Sequence, residues 1–113
     1  MLAYYTNINE STLVFHKKEV YVDGSLIEIR IWQVAISLAF PNGIKYAFYF
    51  IGPAPEREVL LGYDNHHGKG HHRHEQGKET SVTIASVSAL LQRFRHEVTE
   101  RQRKQGIKLR GSQ

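Results

Sequence analysis

Two dipeptides, Asp23-Gly24 and Asn42-Gly43, each stand between runs rich in Val, Ile, Tyr, Phe and Trp. Both pairs tolerate the positive backbone angles of a tight reversal, so each reads as a hairpin turn between neighbouring antiparallel strands. The flanking runs supply those strands: Leu13-Val14-Phe15, the alternating stretch Leu26 to Trp32, Val34 to Phe40, Ile44 to Phe50 and Val59 to Tyr63. Gly52-Pro53-Ala54-Pro55 cannot join a central ladder, because proline donates no amide, and it is expected to be an exposed connection.

Downstream the period changes. Val87, Leu90, Leu91, Phe94 and Val98 recur every three or four residues, with Ser86 or Thr83 available as the cap, which predicts an amphipathic helix. The expected fold class is therefore α+β: an antiparallel meander of about five or six strands with a C-terminal amphipathic helix packed on it. Residues 1–100 are expected to form the single domain, and residues 101–113 a basic, flexible tail too polar to pack. Trp32 and the alternation Tyr46, Phe48, Phe50 are assigned to the core or to the face of a homodimer.

Composition narrows the classes. A length of 113 residues with 41% hydrophobic content suits one modest core. The longest apolar candidate, Ile31 to Phe40, is broken by Gln33 and Ser37 and falls short of the roughly 18 residues a bilayer span needs. No signal-peptide pattern opens the chain, so no membrane contact and a cytoplasmic location are expected. The chain has no cysteine, which excludes disulfides, thiolate nucleophiles and most structural zinc sites. Between Arg93 and Arg110 seven basic residues face only Glu97 and Glu100, so phosphate of RNA or DNA is the natural partner there, through Arg93 and Arg95 among others. A solvated helix face or a tail would carry the same charge.

Five of the seven histidines fall in the nine residues His66-His67-Gly68-Lys69-Gly70-His71-His72-Arg73-His74, behind Tyr63-Asp64-Asn65. The tract is internal and interrupted, unlike an expression tag. If His71 to Glu75 runs extended, His72 and His74 share one face while His71, Arg73 and Glu75 share the other. Gly68-Lys69-Gly70 can turn the chain and return Asp64, His66 and His67 toward that pair. Three readings follow: a solvated polar loop, a His and Asp metal site, or a metal-independent acid-base site with Lys or Arg stabilising negative charge. Lys69 and Arg73 would repel a divalent cation and suit an anion, so neither a metal nor another cofactor is expected.

A Tyr-Asp-Asn element at a strand end, a His-rich loop closing in His71-His72-Arg73-His74 and a following helix together resemble the TumE-like toxins of bacterial toxin-antitoxin modules. That family usually carries Arg before the Tyr, where this chain has Gly62, and the basic tail after Val98 looks like an elaboration. The resemblance implies a growth-inhibiting toxin of a type II module, acting on RNA and partnered by an antitoxin with a helix-turn-helix domain. On the chemistry of the residues, His72 and His74 are the expected acid-base pair, His67 a further candidate, and Asp64 the group that orients a ring. Lys69 or Arg73 would clamp the phosphate, and Tyr63 would stack a base or belong to the core. The competing expectation is a non-catalytic nucleic-acid-binding or His-cluster metal-binding accessory protein.

Overall fold

A computed structural model of the chain describes residues 11–66 and 70–106. Among these residues lie six strands, β1 (Ser11–Val20), β2 (Leu26–Val34), β3 (Ile44–Ile51), β4 (Val59–Asp64), β5 (His72–Glu75) and β6 (Lys78–Ser81), and one helix, α1 (Val87–Gln105). The strands pair in sequence order and each pair is antiparallel, a six-stranded meander. The fold is α+β, as the turn signals and the late change of period imply.

The Asp23-Gly24 reversal forms where it is expected. Gly24 adopts φ 89°, Tyr21 N donates to Ser25 O at 2.8 Å, and Ser25 N donates to Asp23 Oδ1 at 2.9 Å. The second reversal differs: Val34 to Phe40 is not a strand. β2 ends at Val34, whose amide bonds Gly43 O at 2.9 Å, and this closes residues 35–42 into a loop outside the ladder. Ile36 and Leu38 are exposed there, so the apolar composition that suggested a strand finds no partner strand to cover it. β6 has the opposite history. Its sequence, Lys-Glu-Thr-Ser, carries no strand signal, and the two-residue turn Gln76-Gly77, with φ 51° and 79°, folds it back onto β5.

Because side chains alternate along a strand, the sheet has two unlike faces. One carries Ile27, Ile29, Tyr46, Phe48, Phe50, Leu61 and Tyr63 and is covered by Leu90, Phe94 and Val98 of α1. The Phe94 ring sits 5.9 Å from Phe48 and 6.4 Å, edge-on, from Tyr63. Each such buried side chain contributes about 1.5–3 kcal/mol, which makes this layer the main source of stability. Tyr46, Phe48 and Phe50 are core, whereas Trp32 is only half-buried and lies on the other face, in register with Lys45.

α1 starts where the pattern says, with the Ser86 side chain accepting from Ala89 N. It continues past Arg101 to Gln105. Gln102 extends the buried stripe of Leu90, Phe94 and Val98 by one more turn, Arg101 pairs with Glu75, and Gly106 closes the helix at φ 73°. A polar residue in the stripe hid this extension from a hydrophobicity pattern. Residues 107–113 of the expected tail lie outside the described residues. Among the described residues no helix is long and apolar enough to cross a membrane.

Candidate functional site

The face that α1 leaves open carries His72 and His74. Antiparallel register sets Tyr49 opposite Gly62, Gly62 opposite His74, and His74 opposite Glu79 in one row across four strands. The adjacent row runs Arg30, Ala47, Asp64, His72, Ser81. Residues as far apart in sequence as Tyr49 and Glu79 are thereby gathered by strand pairing alone.

Asp64 is the anchor of the group. It is 7% exposed, and its Oδ2 accepts from the Tyr49 hydroxyl and lies 3.0 Å from His74 Nε2. Since a carboxylate only accepts, the His74 Nε2–H donates, and Nδ1 is turned toward Glu79 Oε1 at 3.6 Å. The other oxygen of Glu79 lies 3.3 Å from His72 Nδ1. One exposed carboxylate thus spans two imidazoles. Burial, and next the hydrogen bond to Asp64, push the Tyr49 phenol above its ordinary pKa, which keeps it a proton donor to Asp64.

Gly62 explains how Tyr49 gets there. A Cβ at this position would stand 2.4 Å from Tyr49 Cδ1 and 2.6 Å from Cε1, so the ring lies where a side chain would otherwise be. Gly62 thereby leaves space for a tyrosine from the neighbouring strand. Tyr49 and Glu79 were not visible as site residues in the sequence. The signals that find them are the β3–β4 and β5–β6 registers, which sequence periodicity does not supply.

The Tyr-Asp-Asn element divides into three roles. Asp64 faces the open side. Asn65, 7% exposed, accepts from Tyr46 N at 2.9 Å and donates to Ile44 O at 2.8 Å, so its amide continues the ladder beyond the end of β4. Tyr63 faces α1 and is fully buried; its hydroxyl donates to Glu97 Oε1 at 2.5 Å. Of its two expected roles, core placement is the observed one.

Arg73 shares the α1 side with Tyr63, opposite to His72 and His74. Its guanidinium donates to Tyr63 OH at 3.0 Å, Glu75 Oε1 at 2.7 Å and Glu97 Oε2 at 2.9 Å. Burial works against its charged form, but the hydrogen bonds to Glu97 and Tyr63 outweigh this and raise its pKa. A guanidinium held this way ties β5 to α1, on the side opposite to His72 and His74. Arg93 lies 5.5 Å from the centre of the Tyr63 ring and 3.9 Å from Glu97, so it is part of the same group, while Arg95 is half-buried on α1. Neither is brought to the histidine pair. His67 and Lys69 lie outside the described residues.

His71 completes the picture on the covered side. Its Nδ1 shares a hydrogen bond of 2.8 Å with Tyr46 OH, and the two rings stack at 5.7 Å. Burial, and then the charge of neighbouring His72, lower its pKa. Among the described residues, no three His, Asp or Glu side chains converge in a way that could hold a metal ion. What the open face does offer is an oriented imidazole, a second imidazole two residues along the strand, and an exposed carboxylate between them.

The family model for the toxin TumE matches residues 2–102 of the chain. Comparison with curated proteins and with solved structures found no match.

Proposed function

The chain belongs to the TumE toxin family, and from that premise we propose that it inhibits growth by cleaving RNA in a metal-independent reaction at His72 and His74. Membership makes it a toxin that acts beside a cognate antitoxin. The observation that carries the reaction is the linked set Asp64, His74, Glu79, His72 on the open face. An anionic carboxylate with one oxygen on each Nδ1 occupies the position that a phosphate would take when Glu79, 56% exposed, swings aside. In the proposed reaction one imidazole removes the 2′-hydroxyl proton as the O2′–P bond forms, and the other donates a proton to the 5′-oxygen as the P–O5′ bond breaks. The products are a 2′,3′-cyclic phosphate and a 5′-hydroxyl. Asp64, held by Tyr49, fixes the tautomer of His74.

The proposed setting is a type II module in the cytoplasm, with a helix-turn-helix antitoxin. A homodimer is proposed through β1, which among the described residues is an edge strand, with Leu13, Val14 and Phe15 exposed.

The test is cleavage of RNA by the purified chain with and without chelator, with His72→Ala and His74→Gln compared. Each variant is expected to lose roughly 10²- to 10⁴-fold in rate while keeping its circular dichroism spectrum. Cyclic-phosphate ends should appear with chelator present, over a bell-shaped pH profile. Wild-type rates in both variants would sink the assignment, and a strict need for a bound metal would favour the metal-binding reading instead.

A further inference from the structure

One row beyond Asp64 and His72, the open face carries a feature that the proposed reaction leaves unused. Leu13, Trp32 and Lys45 lie in register across β1, β2 and β3, with Lys45 Nζ 5.4 Å from the centre of the Trp32 ring. The His66 ring meets Trp32 edge-on at 6.0 Å. Two residues back along β2, about 7 Å away and on the same face, stands Arg30, 2.8 Å from Glu28 and directly in the row of Ala47, Asp64 and His72.

A half-buried indole on the polar side of a sheet is not needed to fill the core, which α1 closes on the opposite face. Its surroundings are cationic: Lys45 over the ring, Arg30 beside it. An aromatic ring on an open sheet next to lysine and arginine has the chemistry that receives an unpaired base together with its phosphate, because every base has a stacking face and the backbone is anionic. Base-paired RNA hides those faces in its own stack.

We propose that Trp32, with Lys45 and Arg30, forms a base-stacking and phosphate-binding subsite for single-stranded RNA, one row from His72. It rests on the RNA reading given above and names the surface that presents the strand to the histidines. Phosphate binding then lies on the open sheet, and not along α1 where Arg93 and Arg95 are.

Trp32 is the single tryptophan of the chain and reports on its own subsite. The purified chain is titrated with a 2′-O-methyl single-stranded oligonucleotide, which lacks the attacking hydroxyl and cannot be cleaved. Saturable quenching of Trp32 fluorescence is expected. Lys45→Ala, which keeps the reporter, should bind more weakly and reduce the slope of log K against log salt by about 0.7. By polarisation of a labelled oligonucleotide, Trp32→Ala should lose roughly tenfold in affinity and Trp32→Phe much less, since a smaller ring still stacks. If Trp32→Ala melts early, the Trp32→Phe and Lys45→Ala pair decides.

Binding seen by polarisation without quenching, or Trp32→Ala binding as wild type, overturns the subsite. So does quenching by the antitoxin but not by the oligonucleotide. Quenching without cleavage of the matching RNA supports the subsite and sinks the ribonuclease reading. Cleavage that depends on His74 but leaves Trp32 fluorescence unchanged does the reverse.

Discussion

On the α1 side of β5, Arg73 and Glu75 are knitted into a group with Tyr63, Glu97 and Arg101, while on the other side of the same four-residue strand His72 and His74 meet Asp64 and an exposed Glu79. The residue types overlap: both sides hold basic side chains and carboxylates. What differs is the cover. Under a helix, a charge must find its partners within the protein, because removing water from it costs several kcal/mol unless hydrogen bonds replace the solvent. On the open side water or a ligand can take a partner's place, so the groups there can exchange protons and accept an anion. Charge content alone therefore does not mark a site; the ability of its partners to leave does.

The largest expected effect that separates the two sides is Phe94→Ala. Phe94 is fully buried between α1 and the sheet, and its truncation should cost about 3–5 kcal/mol. Urea or thermal unfolding measures it. The folded fraction that survives should keep the wild-type pH profile of the proposed RNA cleavage, because the His72–His74 pair lies on the opposite face of the sheet from that ring. A loss below about 1 kcal/mol would mean that the covered face is not where stability resides.

Next in size is Gly62→Ala, which sharpens the contrast because it strikes the open face through sterics alone. A Cβ 2.4 Å from the Tyr49 ring cannot coexist with the observed placement, so the ring must swing away and its hydroxyl must leave Asp64. Overpacking of this kind costs about 1–3 kcal/mol. Toxicity should fall with it, and Tyr49→Phe, which removes only the hydroxyl, should reproduce that fall with a smaller change in stability. Growth arrest by Gly62→Ala equal to that of the parent chain would show that Tyr49 does not position Asp64.

These two sides were not equally legible in the sequence. Alternation along β5 separates His72 and His74 from Arg73, and period 3.6 in α1 gives the stripe that covers the core; both are local patterns. The same alternation argues against Arg73 as the phosphate clamp, yet its neighbourhood of histidines suggested that role, which shows composition prevailing over geometry. Tyr49 and Glu79 depend on which residue of one strand faces which residue of another. That register is set by the Gln76-Gly77 turn and by the β3–β4 connection, in which Gly52 N bonds Glu58 O. The loop of residues 35–42 misled for a physical reason: Ile36 and Leu38 have the side chains of a strand, but the next strand, β3, begins only at Ile44.

The smallest expected effect tests the boundary between the two faces, at His71. This residue precedes His72 directly but turns inward, stacking on Tyr46, and its pKa lies below the ordinary 6.5 through burial first and the neighbouring His72 charge second. The sign follows from proton counting. Between the folded pKa and 6.5 the unfolded chain binds more protons at this site than the folded chain, so its contribution to stability is intact above about 6.5 and declines as pH falls below it. Urea midpoints from about pH 7 to about pH 5 should therefore fall for the parent chain, and the fall should be shallower in His71→Asn. The baseline of that variant will shift because the Tyr46 contact changes, so the slope against pH, and not the midpoint at any one pH, is the quantity that decides. Equal slopes would mean that His71 titrates like a solvent-facing histidine, and the line between the covered and open faces would then have to be drawn on the other side of Tyr46.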